Sequence, residues 1–253
     1  MPFKDFYKQQ HVSGRKYFAL LLDPDNLTEE SCLNLLTLSK AHPIDFFFVG
    51  GSLITTDNQQ HIIRLLKANA DTPVILFPSN SLHIDKQADG ILLLSLISGR
   101  NPEFLIGQHI LAAPILKASQ LAVYPTGYML VDCGNQTTAS YMSGTTPLPY
   151  NKPEIAACTA MAGELLGLRY IYLDGGSGAD KPVSPEMVAA VRKSVEVPVI
   201  VGGGINTVGK ARTILDAGAD VLVIGNHIEK NPGFLAEVSD LIASYNVSLG
   251  VNR

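Results

Sequence analysis

Short apolar runs alternate with amphipathic segments along most of this chain. The first run, at 17–22, has six apolar residues in succession, which is typical of a strand buried on both faces. Comparable runs predict further strands at 45–49, 74–77, 90–97, 129–132, 170–173, 197–201 and 221–224. Helical spacing of apolar residues predicts helices at 31–41, 56–68, 103–117, 153–166, 185–194, 208–217 and 234–245.

The order of these elements predicts the fold class. Uniform alternation of strands and helices over 253 residues favours a TIM (β/α)8 barrel, with a doubly wound parallel sheet as the alternative. The third βα unit is atypical, because the segment 81–88 is short for a helix. The polar stretch 134–149 has the composition of a mobile surface loop, which we consider as a lid. No clear linker interrupts the pattern, so we expect residues 1–253 to form a single domain.

Composition narrows the class of protein. Apolar residues make up 46% and charged residues 17% of the chain, as in a globular protein with a large core. The net charge of -4, without a basic run, argues against a nucleic-acid surface. No apolar run approaches the roughly 18 residues of a membrane span. The segment 2–10 lacks the core of a signal peptide and the three cysteines lack CxxC spacing, so we expect a cytoplasmic protein.

Three glycine-rich turns follow predicted strands near the end of the chain. They are Tyr172-Leu-Asp-Gly-Gly-Ser-Gly178, Val201-Gly-Gly-Gly-Ile205 and Val223-Ile-Gly-Asn226. Glycine lets the backbone approach a ligand closely and point its N–H groups at an oxyanion. Active sites of such barrels lie at the carboxyl ends of the strands. The three turns therefore predict a pocket for an oxyanion such as phosphate.

Oxygen ligands follow the first two predicted strands. Asp23 and Asp25 come after strand one, and Ser52 comes after two glycines at the end of strand two. Strand one closes the barrel beside strand eight, so these groups face the phosphate pocket. Mg²⁺ binds one or two carboxylates together with substrate phosphates, which predicts a magnesium site here. Asp25 has an alternative role as the N-cap of the following helix.

The combined motifs resemble one known family. Leu22-Asp-Pro-Asp25, Val49-Gly-Gly-Ser52 and Tyr124-Pro-Thr-Gly-Tyr128 precede the three glycine turns in the chain. In this order they resemble the geranylgeranylglyceryl phosphate synthases, TIM-barrel prenyltransferases that include the bacterial PcrB-like proteins. The resemblance covers nearly the whole chain, and the first three motifs make it specific.

The resemblance implies an activity and a set of site residues. The activity is transfer of a prenyl group from geranylgeranyl diphosphate to the C3 hydroxyl of sn-glycerol 1-phosphate, with release of diphosphate. Asp23 and Ser52 would hold Mg²⁺, Tyr124 and Tyr128 would line a prenyl groove, and a homo-oligomer is expected. The residues implied for glycerol phosphate binding are Tyr172, Leu173, Asp174, Gly175, Gly176, Ser177, Gly178, Gly203, Gly204, Gly225 and Asn226.

Two departures from the family pattern bear on the catalytic mechanism and on the choice of prenyl donor. The family commonly has glutamate where this chain has Asp174, so Asp174 either accepts the hydroxyl proton or only orients the substrate. Leu21 and Leu22 stand where the PcrB-like branch has a lysine before its aspartate. The chain therefore resembles the archaeal-type branch, which favours a geranylgeranyl donor.

Two other functions are compatible with a phosphate-binding barrel. One is a sugar-phosphate isomerase or synthase, in which Asp23 would serve in acid–base chemistry. The other is a catalytically idle scaffold that binds phosphate without turnover, suggested by the departure at Asp174.

Overall fold

Eight parallel strands close into one barrel, in which each strand pairs with the next and the last pairs with the first. The structure is a computed structural model that describes residues 14–250, so the lead-in at 2–10 lies outside the described residues. The closed sheet confirms the predicted TIM barrel and excludes the alternative, a doubly wound sheet. The strands are β1 (Tyr17–Leu22), β2 (Phe46–Gly50), β3 (Val74–Phe77), β4 (Gly90–Leu96), β5 (Ala122–Leu130), β6 (Tyr170–Asp174), β7 (Val199–Gly202) and β8 (Val221–Ile224).

Helices surround the barrel wherever the amphipathic pattern predicts them. The third unit is atypical as expected, because only a 3-10 turn at Ser81–His83 follows β3. The helices are α1 (Glu29–Ala41), α2 (Gln59–Asn69), α3 (Gln108–Lys117, preceded by a π-helical turn at Glu103–Gly107), α4 (Thr138–Ser143), α5 (Pro153–Leu165), α6 (Pro185–Ser194), α7 (Val208–Asp216), α8 (Asn226–Lys230) and α9 (Phe234–Ser248). Within residues 14–250, none of the helices is long and apolar enough to cross a membrane.

The structure corrects the bounds of one predicted strand and the interpretation of one predicted loop. The predicted strand at 129–132 begins earlier, at Ala122, because the Pro-Thr-Gly stretch continues the strand and pairs with β4 on one side and with β6 on the other. The segment 134–149 is not simply a loop, since it contains α4. Thr137 and Ser140 form a reciprocal capping box at the start of that helix, which stabilises a short helix in a polar segment. The short helix α8 was not predicted.

The barrel interior contains two layers of aromatic rings packed among aliphatic side chains. The lower layer contains Tyr17 against Phe46 and Tyr124 against Tyr170, each pair with ring centroids 5.9 Å apart. A Cβ atom on Gly90 would lie 2.5 Å from Tyr124 Cε2, so the absence of a side chain on β4 makes room for the ring. The upper layer consists of Phe77, Tyr128 and Tyr172. Their rings lie next to the carboxyl ends of the strands.

A buried charge cluster ties the opposite end of the barrel together. The Asp220 carboxylate, just before β8, accepts hydrogen bonds from Arg192 Nη1 and from the Val199 backbone N–H, both at 2.8 Å. Lys16 Nζ lies 3.7 Å from the other carboxylate oxygen. The cluster thus joins the chain before β1 to α6, β7 and β8. Buried charges of this kind are strongly interdependent, because loss of one leaves the others unpaired.

We expect Asp220→Ala to lower the free energy of unfolding by about 3 kcal/mol, because it leaves Arg192 and Lys16 without their carboxylate. Urea unfolding monitored by circular dichroism measures the change. Asp240→Ala is the matched control. The Asp240 side chain is 78% exposed, and its contact with His42 Nδ1 is long, at 3.9 Å. A loss at position 220 no larger than the loss at position 240 would contradict the assignment.

Candidate active site

Two adjoining cavities open at the carboxyl ends of the strands. The first, called here the polar cavity, has a volume of about 250 Å³ and is lined by the ends of β1, β6, β7 and β8. The second, the apolar groove, has a volume of about 310 Å³ and lies over β3, β4 and β5. Gly51, Ser52 and Phe77 line both. A molecule with a polar end and an apolar chain can therefore occupy the two cavities together.

Glycine-rich turns form the wall of the polar cavity. Gly176, Gly178, Gly203 and Gly204 all have positive φ, between 69° and 84°, where residues with a Cβ atom are strained. A Cβ atom on Gly203 would lie 2.7 Å from the Gly176 nitrogen, so the turns after β6 and β7 are in direct contact. The three predicted turns therefore do converge on one cavity, as the sequence indicates.

The β6 and β8 turns are also joined by their side chains. Asn226 Nδ2 donates a hydrogen bond to Ser177 Oγ at 2.7 Å. Both residues line the polar cavity, together with Gly225 from the β8 end. The wall therefore offers amide and hydroxyl groups in addition to the backbone.

Two residues of the predicted binding set do not line the polar cavity. Leu173 points outward into the layer between the barrel and the helices, because side chains alternate along a strand and Tyr172 and Asp174 take the inward positions. The backbone N–H of Gly175 donates to the Gly202 carbonyl at 3.0 Å and is therefore committed to the sheet. The structure therefore does not place Leu173 and Gly175, unlike the rest of the predicted set, at the polar cavity.

Asp174 is a buried carboxylate with two hydrogen bonds. Its Oδ2 accepts from the Tyr128 hydroxyl at 2.5 Å, and its Oδ1 accepts from the Gly176 backbone N–H at 2.7 Å. Burial raises the pKa of Asp174, and the two hydrogen bonds lower it only in part. A carboxylate has about four acceptor sites, so Asp174 retains the capacity to accept a proton at the cavity.

The upper aromatic layer lies beneath the boundary where the two cavities join. Tyr128 lines the apolar groove, Tyr172 lines the polar cavity, and Phe77 lines both. The Tyr128 and Tyr172 rings meet edge to face, with centroids 5.4 Å apart. Tyr124 belongs to the lower layer and is buried against Tyr170. The prediction that Tyr124 lines the groove is therefore wrong, because four residues along a strand move a side chain deeper into the same interior face.

The 3-10 turn that replaces a helix after β3 shapes the apolar groove. Pro78, Asn80 and Ile84, on either side of the 3-10 turn, line it on one side, and Phe104 and Ala112 line it on another. Its remaining wall comes from α4, through Ala139, Met142 and Ser143. The segment 134–149 therefore covers part of the groove.

Asp23 and Ser52 both line the polar cavity at the edge where β1 and β2 end. A Cβ atom on Gly51 would lie 3.2 Å from Asp23 Oδ2, so the backbone before Ser52 passes directly beside the carboxylate. Burial raises the pKa of Asp23, and the N–H of Asp25 lowers it in part. Among the described residues, no group of three or more histidine, cysteine or acidic side chains is spaced to hold a metal. One carboxylate and one hydroxyl fit Mg²⁺, which completes its shell with water and substrate phosphates.

Asp25 has a structural role that differs from helix capping. Its carboxylate accepts hydrogen bonds from the backbone N–H and the hydroxyl of both Thr55 and Thr56. Burial alone would raise the pKa of Asp25, but these four bonds lower it to about 2. Thr28 caps α1 instead. Asp25 therefore fixes the segment after Ser52 beside the end of β1.

Sequence reasoning missed several residues of the cavities. Phe77 ends β3 and could have been found by the rule that strand ends form the site. His227 and Lys230 line the polar cavity from α8, a helix that no periodicity signalled. Glu229 of the same helix accepts the Asp23 backbone N–H at 3.3 Å. Burial raises the pKa of Glu229, as it does for Asp23 and Asp174.

Comparison with known proteins agrees with this architecture. A sequence profile of the PcrB family matches residues 10–243. A geranylgeranylglyceryl phosphate synthase of Spirosoma linguale is 56% identical over 238 residues, which cover 94% of this chain and 96% of the relative. Another of that name, from Chitinophaga pinensis, is 46% identical and covers 91% of this chain and 92% of its own.

A solved structure shares the fold over nearly its whole length. It is the crystal structure of (S)-3-O-geranylgeranylglyceryl phosphate synthase from Thermoplasma acidophilum in complex with substrate sn-glycerol-1-phosphate. It superposes with a TM-score of 0.89 at 29% identity and covers 96% of this chain and 99% of the other. The profile match and the two close relatives lead to the same conclusion. The chain belongs to the PcrB family.

Proposed function

We propose that this chain is a Mg²⁺-dependent prenyltransferase that joins geranylgeranyl diphosphate to the C3 hydroxyl of sn-glycerol 1-phosphate. The observation that carries the proposal is the continuity of the two cavities at Gly51, Ser52 and Phe77. One cavity suits a phosphate and the other suits a long hydrocarbon. The relatives named geranylgeranylglyceryl phosphate synthase support the same reaction.

The acceptor occupies the polar cavity in this proposal. Its phosphate is held by the glycine turns after β6, β7 and β8, where backbone N–H groups suit an oxyanion. The bound sn-glycerol-1-phosphate of the Thermoplasma acidophilum relative supports this choice of ligand. Anchoring the phosphate leaves the C3 hydroxyl at the junction of the cavities, near Asp174. Such positioning converts a bimolecular reaction into an effectively unimolecular one.

The donor occupies the apolar groove, with its diphosphate at the junction. Asp23 and Ser52 would hold Mg²⁺, which, when bound, neutralises charge on the leaving diphosphate. The groove is walled by aliphatic and aromatic side chains from β4, β5, α3 and α4, so the prenyl chain is removed from water. Tyr128 lines the groove near its junction with the polar cavity.

The reaction requires one bond to break and one to form. The bond between C1 of the prenyl group and the diphosphate oxygen breaks, and its electron pair leaves with diphosphate. The C3 oxygen of glycerol phosphate bonds to C1, and the hydroxyl proton passes to Asp174. A carboxylate whose pKa is raised by burial is suited to this late proton transfer. Asp174 reaches the cavity despite being one methylene shorter than glutamate, which argues against an idle scaffold.

A homo-oligomer and a cytoplasmic location also belong to the proposal. The outer side of α3 exposes Ile110, Leu111 and Ile115, an apolar surface of the kind that subunit contacts cover. The three cysteines are free, in accord with a reducing compartment.

The reaction can be tested with labelled sn-glycerol 1-phosphate, geranylgeranyl diphosphate and Mg²⁺. We expect a prenyl ether from the wild type. We expect Asp23→Asn to reduce the rate at least about a hundredfold, because loss of the metal removes several kcal/mol of charge stabilisation. The sn-3 enantiomer serves as the substrate control. No ether with any donor, despite saturable glycerol phosphate binding, would support the idle scaffold, and no binding would favour a sugar-phosphate enzyme.

Gly203→Ala tests the glycine turns. A methyl group there meets the Gly176 nitrogen and forces a residue with a Cβ atom into φ of 82°. We expect the affinity for sn-glycerol 1-phosphate to fall about tenfold or more, because strain of 1–3 kcal/mol displaces the turn. Calorimetric titration with sn-glycerol 1-phosphate measures this affinity. Gly209→Ala is the control, since its methyl group meets only Thr207 Oγ1 at 4.0 Å. Equal affinities in the two variants would refute the role of Gly203.

Tyr128→Phe tests Asp174 as the proton acceptor. The Tyr128 hydroxyl lowers the pKa of Asp174, so its removal raises that pKa. More of the carboxylate is then protonated at a given pH, and we expect the acidic limb of the kcat profile to move to higher pH. Tyr124→Phe, on the same strand but in the lower layer, is the control and leaves the limb in place. An acidic limb unchanged in Tyr128→Phe would be inconsistent with Asp174 as the base.

A further inference from the structure

The polar cavity contains little positive charge for the ligands it would hold. Its charged side chains are Asp23, Asp174 and Lys230, accompanied by His227. Among residues 14–250, Lys230 is the only lysine or arginine that lines this cavity. A phosphate and a diphosphate would both reach it, so two anionic ligands meet two carboxylates. Apart from a metal ion, Lys230 therefore supplies the permanent positive charge of the cavity.

Lys230 lies at the edge of the cavity where β8 meets β1. It is the last residue of α8, and its neighbour Glu229 accepts the Asp23 backbone N–H. This hydrogen bond holds α8 against the end of β1, and both Asp23 and Lys230 line the cavity where these elements meet. A cation there offsets carboxylates that would otherwise repel an anion beside Asp23.

The helix that carries Lys230 is firmly anchored. Ile228 is fully buried beneath it. The His227 ring packs edge to face on Phe234, with centroids 4.8 Å apart, and the His227 carbonyl accepts the Asn231 N–H at 2.8 Å. The backbone of Lys230 is therefore held at the rim while its long side chain remains free to follow a ligand.

We propose that Lys230 binds the diphosphate group of the donor and stabilises it as it leaves. The inference rests on the proposed function. When the C1–O bond breaks, its electron pair remains on the diphosphate oxygen, whose negative charge increases. The ammonium group of Lys230 offers three hydrogen-bond donors to this charge. The acceptor phosphate already has the backbone N–H groups of the glycine turns, so its affinity depends little on Lys230.

The test is calorimetric titration of the full chain with inorganic diphosphate and, separately, with sn-glycerol 1-phosphate. Each titration is made with Mg²⁺ and again with EDTA, so that the contribution of the lysine is separated from that of the metal. Lys230→Gln removes the charge and Lys230→Arg retains it. Lys193→Gln on α6 is the control, because this exposed lysine makes the same change in net charge outside both cavities.

We expect Lys230→Gln to weaken diphosphate binding about tenfold, equivalent to about 1.4 kcal/mol, in both Mg²⁺ and EDTA. Lys230→Arg should restore most of the affinity, and sn-glycerol 1-phosphate should bind all variants within about twofold. Unchanged diphosphate affinity in Lys230→Gln would overturn the inference, as would an equal loss in Lys193→Gln. A selective loss of glycerol phosphate affinity would assign Lys230 to the acceptor and overturn it as well.

The outcome is independent of whether the proposed reaction occurs. Diphosphate binding requires no turnover, so the titrations test the role of Lys230 even if no prenyl ether forms. Ether formation with normal diphosphate binding in Lys230→Gln would leave the proposed function standing and refute the lysine's role. A wild type that binds no diphosphate would refute it too.

Discussion

The hydrogen bond between Tyr128 and Asp174 is the interaction on which the site depends. A carboxylate buried at the end of β6 is unfavourable unless it is hydrogen-bonded, and Tyr128 from β5 supplies one of its two partners. Because Tyr128 lines the apolar groove and Asp174 lines the polar cavity, this bond also fixes the two cavities relative to each other. The Gly176 N–H completes the arrangement and sets the shape of the glycine turn. One carboxylate thus organises both binding regions.

The aromatic rings of the barrel interior require glycine where they pack closely against a neighbouring strand. Rings in two layers take up much of the space that aliphatic side chains fill in many barrels. Tyr124 fits only because Gly90 lacks a Cβ atom. The upper layer of Phe77, Tyr128 and Tyr172 then forms a rigid floor beneath the reacting groups. A Cβ atom on Gly202 would lie 2.6 Å from the Tyr172 hydroxyl, so a change in ring size would be felt by the turn after β7.

Much of this architecture could be predicted from local patterns. The bounds of β1, β3 and β8 follow directly from continuous apolar runs, and the glycine turns mark the ends of β6 and β7. Tyr124 was misassigned because its depth depends on where β5 begins, and Pro125 conceals that start. Helix α8 was missed because five residues are too few to show a period. Its tertiary contacts, through the buried Ile228, decide that it forms.

The acidic groups of the site are coupled to the ligands they meet. Burial raises the pKa of Asp23, Asp174 and Glu229, and a nearby phosphate or diphosphate would raise each further. In the proposed reaction a metal ion at Asp23 would act in the opposite direction on Asp23, and the ammonium of Lys230 lowers the pKa of Glu229. Asp174 lies on the other side of the cavity, at β6, where burial dominates. Under the proposed mechanism, the same cavity would keep Asp23 charged for metal binding while Asp174 accepts the proton.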